Sequence, residues 1–411
     1  MSVSSTSERA EAFEIDEVLR ELQLRRQDPY PLYARMRREH PVYRSSQGVW
    51  YLTRYADVAA AVFNPALSSG GERMVRAMEA QGGAAARLSR LTRRGDQTMF
   101  NSDPPDHTRL RKLAIMAFTT RRVHGLRPRI EAVTDELLDA AVAAGPTMDL
   151  IEALAFPLPI TVICELLGVP YADRGHIRTW SRQSLDGILN PEAAELAEQG
   201  LEAFKAYLRD LIRRRRGKPG DDLISGLIAA QESGDRLSDE ELTATCGLLL
   251  VSGHETTANL IGNGMLALLR HPDELRRLRD DPRLIRSAVE EVLRYDSPAQ
   301  AVSRVVVGEV EIGGARLRDG QRVFPLLGAA NRDPERFSGP DRLDIGRADN
   351  RHLSFGSGPH FCLGAPLARL QGEIAIGALV RRLPRLRLDT DVAEWLPHPL
   401  LRGLATLPVA Y

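Results

Sequence analysis

The chain has 411 residues, 43% of them hydrophobic, and its 55 basic and 55 acidic side chains sum to a formal charge of zero. That length allows a large core in one big domain or two to three ordinary ones, while the zero sum excludes a global field for nucleic acid or an anionic membrane, so any electrostatic recognition is local. Cys164, Cys246 and Cys362 lie far apart without CxxC spacing, which excludes a disulfide framework or zinc site and suits a reducing cytoplasm; the N-terminal stretch carries charges throughout and holds no apolar run for a signal peptide or anchor.

Helical patterns dominate, with no fixed-period repeat. Residues 41–53 (PVYRSSQGVWYLT) read as two short strands around a Ser-Ser-Gln-Gly turn, followed by a short helix from Tyr55 to about Phe63. Residues 68–99 are rich in Gly, Ala and Arg and poorly periodic, a long loop by pattern. Amphipathic helices follow at about 127–143, 172–189 and 192–216, with Pro191 separating the last two. The run Arg213 to Arg216 is a solvated helix end, since cations complement the C-terminal dipole and GKPG follows as a stop signal.

A longer helix is expected at about 239–269, capped by Ser238 with Asp239, Glu240 and Glu241 in its first turn. Another covers about 282–295, and β-rich segments with glycine turns occupy 302–328. Helices first and small sheets late predict an α-rich α+β fold. No linker marks a boundary, so the whole of 1–411 is expected to form a single domain, with an α-rich part at about 55–300 and a β-rich part at about 301–411.

The chemistry centres on FGSGPHFCLGAPLAR, residues 355–369. A lone cysteine is usually a small core residue. Here Gly356, Gly358, Pro359 and Gly364 describe a tight turn leading into a helix that starts near Leu363. Such a turn aims backbone N–H groups at the sulfur of Cys362 and favours its thiolate, the form that ligates iron. Gly364 would let the following helix approach a flat macrocycle.

The order Phe355, Gly358, Cys362, Gly364 resembles the haem-binding signature of the cytochromes P-450. The resemblance extends from DPPDHTRLR at 103 through ANRDPERF at 330 to LGAPLARL at 363. It implies a single triangular, mostly helical domain with small β-sheets, holding haem b (iron protoporphyrin IX) with Cys362 as the metal ligand. In that family the thiolate pushes electron density onto iron and favours O–O cleavage. Phe355, Gly358, His360 and Gly364 would then belong to the cofactor site.

Three further features match the same family. SGHETT, 252–257, lies mid-helix, where Gly253 costs roughly 1 kcal/mol relative to Ala, so something should want the missing side chain. The resemblance implies that this helix opens slightly across the haem face and that Glu255 and Thr256 form an acid and alcohol pair relaying protons. The family usually has Ala or Gly where Ser252 stands. EEVLRY carries Glu291 and Arg294, which as a surface i,i+3 pair would contribute only a few tenths of a kcal/mol; the resemblance implies a buried structural pair tied to a later arginine, with Arg332 and Arg342 both open as partners. His107 and Arg111, at i,i+4, together with Arg304 and His360 match the family's positions for the two haem carboxylates.

The expected reaction is monooxygenation, hydroxylation or epoxidation, of a small organic molecule in a cytoplasmic, monomeric bacterial enzyme. The chain has no GxGxxG or other nicotinamide or flavin signature, so electrons ultimately from NAD(P)H imply separate partners, a ferredoxin and ferredoxin reductase. The cations Arg109, Lys112 and Arg121 are candidates for docking an acidic partner. A gas sensor or electron carrier would have no need of Glu255 and Thr256, and a peroxide-using peroxygenase generally carries Arg and Pro there. Ser252, Ala299, Gln300, Ala301 and Val302 are expected to line the substrate pocket, whose small side chains suit a bulky secondary metabolite. Arg73, Arg76 and Arg87 of the 68–99 segment are available to its polar groups.

Overall fold

The computed structural model describes residue 16 and residues 28–82, 85, 86, 89, 97–189, 194–232, 237–398 and 400–411. The first strands and helix form as the turn chemistry predicts: Val42–Arg44 and Trp50–Leu52 pair antiparallel, and Tyr55–Phe63 is helical. These strands join Arg322–Pro325, Arg304–Val306 and Leu67–Ser68 in a five-stranded sheet, in which only the Trp50–Leu52 and Arg322–Pro325 pair is parallel. Glu309–Ile312 and Ala315–Arg318 make a separate hairpin, and Thr147–Asp149, Pro408–Ala410 and Arg387–Leu388 a three-stranded sheet.

The helices expected from periodicity are present as Arg127–Ala144, Arg174–Leu189, Ala194–Gly217 and Ile285–Tyr295, while Pro191 lies outside the described residues. The loop expected over 68–99 is wrong in its first half. Gly71–Gln81 is a helix that buries Val75, Ala77 and Met78 and leaves charges at its surface, a stripe too short to stand out beside the Gly/Ala-rich residues that follow. Arg76 pairs there with Glu72 at 3.2 Å, Arg73 is exposed, and Arg87 lies outside the described residues.

The four-arginine run does more than solvate a helix end. Arg213 and Arg214 pair with Asp210, but Arg215 reaches Asp222 and the Gly168 carbonyl, and Arg216 reaches Asp239. Two of the four cations therefore fasten neighbouring helices. No helix among the described residues is long and apolar enough to cross a membrane.

The largest apolar core gathers the helices from Leu110 to Leu386. At its centre the Glu255–Arg270 and Ala365–Arg382 helices run side by side. A Cβ on Gly372 would come within 3.1 Å of Leu260, and one on Gly264 within 3.1 Å of Ile376. The offset is constant, 260 to 372 and 264 to 376, so the helices are parallel. Their N-termini lie at one end of the pair. That end brings Glu255 and Thr256 level with the loop that carries Cys362.

Candidate active site

The expected long helix is two helices. Asp239–Ser252 begins in a capping box, with Ser238 Oγ accepting from Glu241 N–H and Glu241 accepting from Ser238 N–H, and it ends at Gly253 before Glu255–Arg270 starts. Steric contact explains the glycine: a Cβ on Gly253 would lie 2.8 Å from Ile163 and 2.7 Å from the Leu249 carbonyl oxygen. Leu248, Val251, Ser252, Glu255 and Thr256 follow helical spacing; Val251 and Ser252 are exposed and the other three half-buried, in a region where neighbouring positions are buried. Leu248 and Val251 were not expected here, although the i, i+3, i+4 stripe from Ser252 could have found them.

Burial alone pushes the Glu255 carboxyl pKa up, with no cation pulling it back. Thr256 Oγ1 donates to the Ser252 carbonyl at 3.1 Å, and Ser252 Oγ donates to Leu248 at 2.6 Å. The pair is therefore an uncharged-leaning acid beside an alcohol on one open face.

The Cys362 loop folds as its glycines demand. Gly356 and Gly358 take φ of 67° and 68°, the left-handed region that residues with a Cβ avoid. Cys362 N–H donates to the Phe355 carbonyl at 2.9 Å, and the next helix starts at Ala365, two residues later than expected. Cys362 is exposed, while Cys164 and Cys246 are buried. Enclosure on its protein side raises the Cys362 thiol pKa, against the lowering effects of Gly364 N–H, Arg111, Ala365 N–H and Arg369. The donors expected of the turn are present, and burial outweighs them. A Cβ on Gly364 would meet the Cys362 sulfur at 3.9 Å and nothing nearer beyond its chain neighbours.

Four nitrogen-bearing side chains gather near this loop. His107 and His360 rings lie 4.1 Å apart, and Arg111 donates to the Phe361 carbonyl at 2.6 Å. Burial first, then the charges of His107 and Arg304, lowers the His360 pKa to about 4. Arg304 is buried and donates to the Ser303 carbonyl, and both His107 ring nitrogens are buried without a hydrogen-bond partner. A buried donor left unpaired costs about 1–3 kcal/mol, so this cluster fits a bound anion such as the carboxylates of haem.

On the same side of the molecule, Glu291 and Arg294 are fully buried and joined by two bonds of 2.8 Å. The second arginine is neither of the two expected. Arg347 donates to Glu291 at 3.0 Å, whereas Arg342 offers only its carbonyl to Arg294 and is 75% exposed in its side chain. Arg332 instead clasps the Tyr295 carbonyl at 2.7 and 2.9 Å and pairs with Asp341. The turn at Asp344 to Arg347 selects Arg347 by carrying it inward. Asp344 N–H and Asn350 complete the shell of Glu291. Glu291→Ala would leave two buried guanidinium groups without their carboxylate, and a loss of about 3–5 kcal/mol is expected in urea unfolding. A variant with an unchanged midpoint would show the pair to be dispensable.

A neighbouring cluster escaped the sequence. Arg369 grips Glu290 at 2.7 and 2.9 Å and lies 4.6 Å over the Phe355 ring, with His352 also on Glu290. Burial raises the Glu290 pKa, but the bonds from His352 and Arg369 outweigh it and bring the carboxyl down to about 2.

Two of the expected pocket residues turn the other way. Gln300 is buried and donates to the Ser297 carbonyl at 2.7 Å, and Ala301 packs with Tyr30, Tyr33 and Met36. Gln300 and Ala301 are thus both given to the core, while Ala299 and Val302 on either side of them remain half-buried. Arg109 is half-buried and pairs with Glu241 at 3.1 Å, whereas Lys112 and Arg121 of the expected docking group are exposed.

The sequence model described as Cytochrome P450 matches residues 182–408. The chain is 48% identical over 390 residues to Cytochrome P450 107B1 of Saccharopolyspora erythraea, covering 93% of this chain and 95% of that one. The chain belongs to the cytochrome P450 family. Like its relatives, this P450 is a haem-thiolate monooxygenase that inserts an oxygen atom into an organic substrate and depends on redox partners. It is 44% identical over 389 residues to 6-deoxyerythronolide B hydroxylase of Saccharopolyspora erythraea, covering 93% and 96% of the two chains. Among solved structures, the myxobacterial P450 CYP267B1 in complex with myristic acid superposes with a TM-score of 0.86 at 45% identity, covering 93% and 96%.

Proposed function

We propose that this P450, acting as one cytoplasmic domain, oxidises a bulky polyketide-like secondary metabolite, with Cys362 as iron ligand and His107, Arg111, Arg304 and His360 holding the haem carboxylates. Electrons would come from NAD(P)H through a ferredoxin reductase and a ferredoxin docking beside Lys112 and Arg121. When bound, the haem supplies reductive activation of dioxygen, with one oxygen atom entering the substrate and the other leaving as water. The observation that carries this reading is the parallel register of the two central helices, which puts the open Glu255 and Thr256 face and the Cys362 loop at one end of the helix pair.

In that arrangement Glu255 holds a proton, and Thr256 passes it on from a hydroxyl anchored by the Ser252 carbonyl. Small side chains at Ser252 and Ala299 leave volume for a large ligand, in keeping with the deoxyerythronolide in the name of 6-deoxyerythronolide B hydroxylase. The myristic acid bound by CYP267B1 supports a second reading, a fatty chain. Spectral dissociation constants for compounds graded by size separate the two. Macrolactones should bind more tightly than fatty acids, and Ala299→Phe should weaken the macrolactones by tenfold or more, roughly the effect of one or two kcal/mol of overpacking. Indifference to the added ring, or tighter binding of fatty acids, would remove the bulky substrate.

A further inference from the structure

The junction between the two distal helices has a keeper that the proton relay does not use. The backbone ladder runs to Gly253 N–H on Leu249 O, 3.0 Å, and resumes with Ala258 N–H on His254 O, 2.9 Å. Between these bonds the ladder skips the step from His254 N–H to the Leu250 carbonyl, and the first helix stops at Ser252. Two side chains step in. Thr256 Oγ1 takes the Ser252 carbonyl, and His254 Nδ1 lies 2.8 Å from the Leu250 carbonyl. A carbonyl only accepts, so Nδ1 carries the proton and Nε2 is bare.

In a continuous helix the Leu250 carbonyl would be taken by the backbone N–H of His254 itself. The imidazole therefore occupies the acceptor that would close the helix. The ring cannot swing away freely: His254 is 1% exposed and meets Phe156 edge to face, with centroids 5.7 Å apart. Phe156 immediately precedes the Pro157–Leu167 helix, whose Ile163 blocks any side chain at Gly253. Burial also lowers the His254 pKa and keeps the ring neutral, in the form with one donor.

We infer that His254 is a positioning residue: its Nδ1–H, clamped on the Leu250 carbonyl by Phe156, holds the helix junction open and so sets where Glu255 and Thr256 stand. The inference rests on the reading of Glu255 and Thr256 as the proton relay, but its test does not. Asn in place of His puts an amide N–H where Nδ1 stands, whereas Gln puts it at the Nε2 position.

Hydrogen exchange of the amides at 253–257 should be close to the parent in His254→Asn and about tenfold faster or more in His254→Gln, as expected for loss of one buried hydrogen bond. Peroxide released per NAD(P)H consumed should rise in His254→Gln and stay low in His254→Asn. Equal behaviour of the two variants, whether both parent-like or both perturbed, would show that ring volume and not the donor matters, and would overturn the inference. If neither variant folds, 15N-histidine NMR of the parent in its ferrous carbon monoxide form decides: a protonated, slowly exchanging Nδ1 supports the clamp, and a bare Nδ1 removes it. Failure of the relay itself would appear separately, as unchanged coupling in Thr256→Ala with the His254 exchange pattern intact.

Discussion

Cys362→Ala is expected to abolish the strongly red-shifted carbon monoxide band of the reduced protein. The other two cysteines cannot take over. Cys164 and Cys246 are buried, and burial pushes each thiol up to about 12, far from the thiolate that iron requires. Cys362 is exposed, so truncating it removes little packing, and circular dichroism should stay at the parent value while the band disappears. The loop's own frame, Gly356 and Gly358 with positive φ and Cys362 N–H on the Phe355 carbonyl, does not depend on the sulfur. A variant that keeps the thiolate band would move the ligand elsewhere and dismantle the site as described.

How far the sequence could be read depended on whether each signal was local. The Cys362 turn, the Ser238 cap and the helix at Tyr55–Phe63 are set by residues within a few positions of one another, and all three are present. The partner of Glu291 is chosen by a fold 56 residues away. Five arginines lie between 332 and 351, and only the inward turn at Asp344 distinguishes Arg347 from the rest. Pocket lining failed for a related reason. Small side chains at 299–302 suggest free volume, but Gln300 and Ala301 are given to the core, and how this segment turns is fixed by bonds to distant segments, with Gln300 N–H on the Leu400 carbonyl and Val302 N–H on the Pro325 carbonyl. The helix break at Gly253 was signalled by an ill-suited residue, but its cause, Ile163, lies 90 positions upstream.

Thr256→Ala is expected to lower the yield of product per electron by about 100-fold to 10,000-fold, the range for loss of a positioned proton-transfer group. Its methyl contacts are not needed for stability, because the side chain is half open and makes a single bond, to the Ser252 carbonyl at 3.1 Å. Haem content and the carbon monoxide band should therefore match the parent, and consumption of NAD(P)H with its redox partners should continue. Reducing equivalents that fail to reach substrate should appear as peroxide. Glu255→Gln gives the companion result. Burial raises the Glu255 pKa, so stability is lost as the pH climbs from the ordinary carboxylate value through that raised one; the neutral amide removes the cost and should make the protein no less stable at neutral pH. The amide also has no proton to give, so product yield should fall as it does for Thr256→Ala, with no fall in the unfolding midpoint. Loss of yield with retained stability in both variants assigns the effect to proton delivery; unchanged coupling in Thr256→Ala would end that assignment.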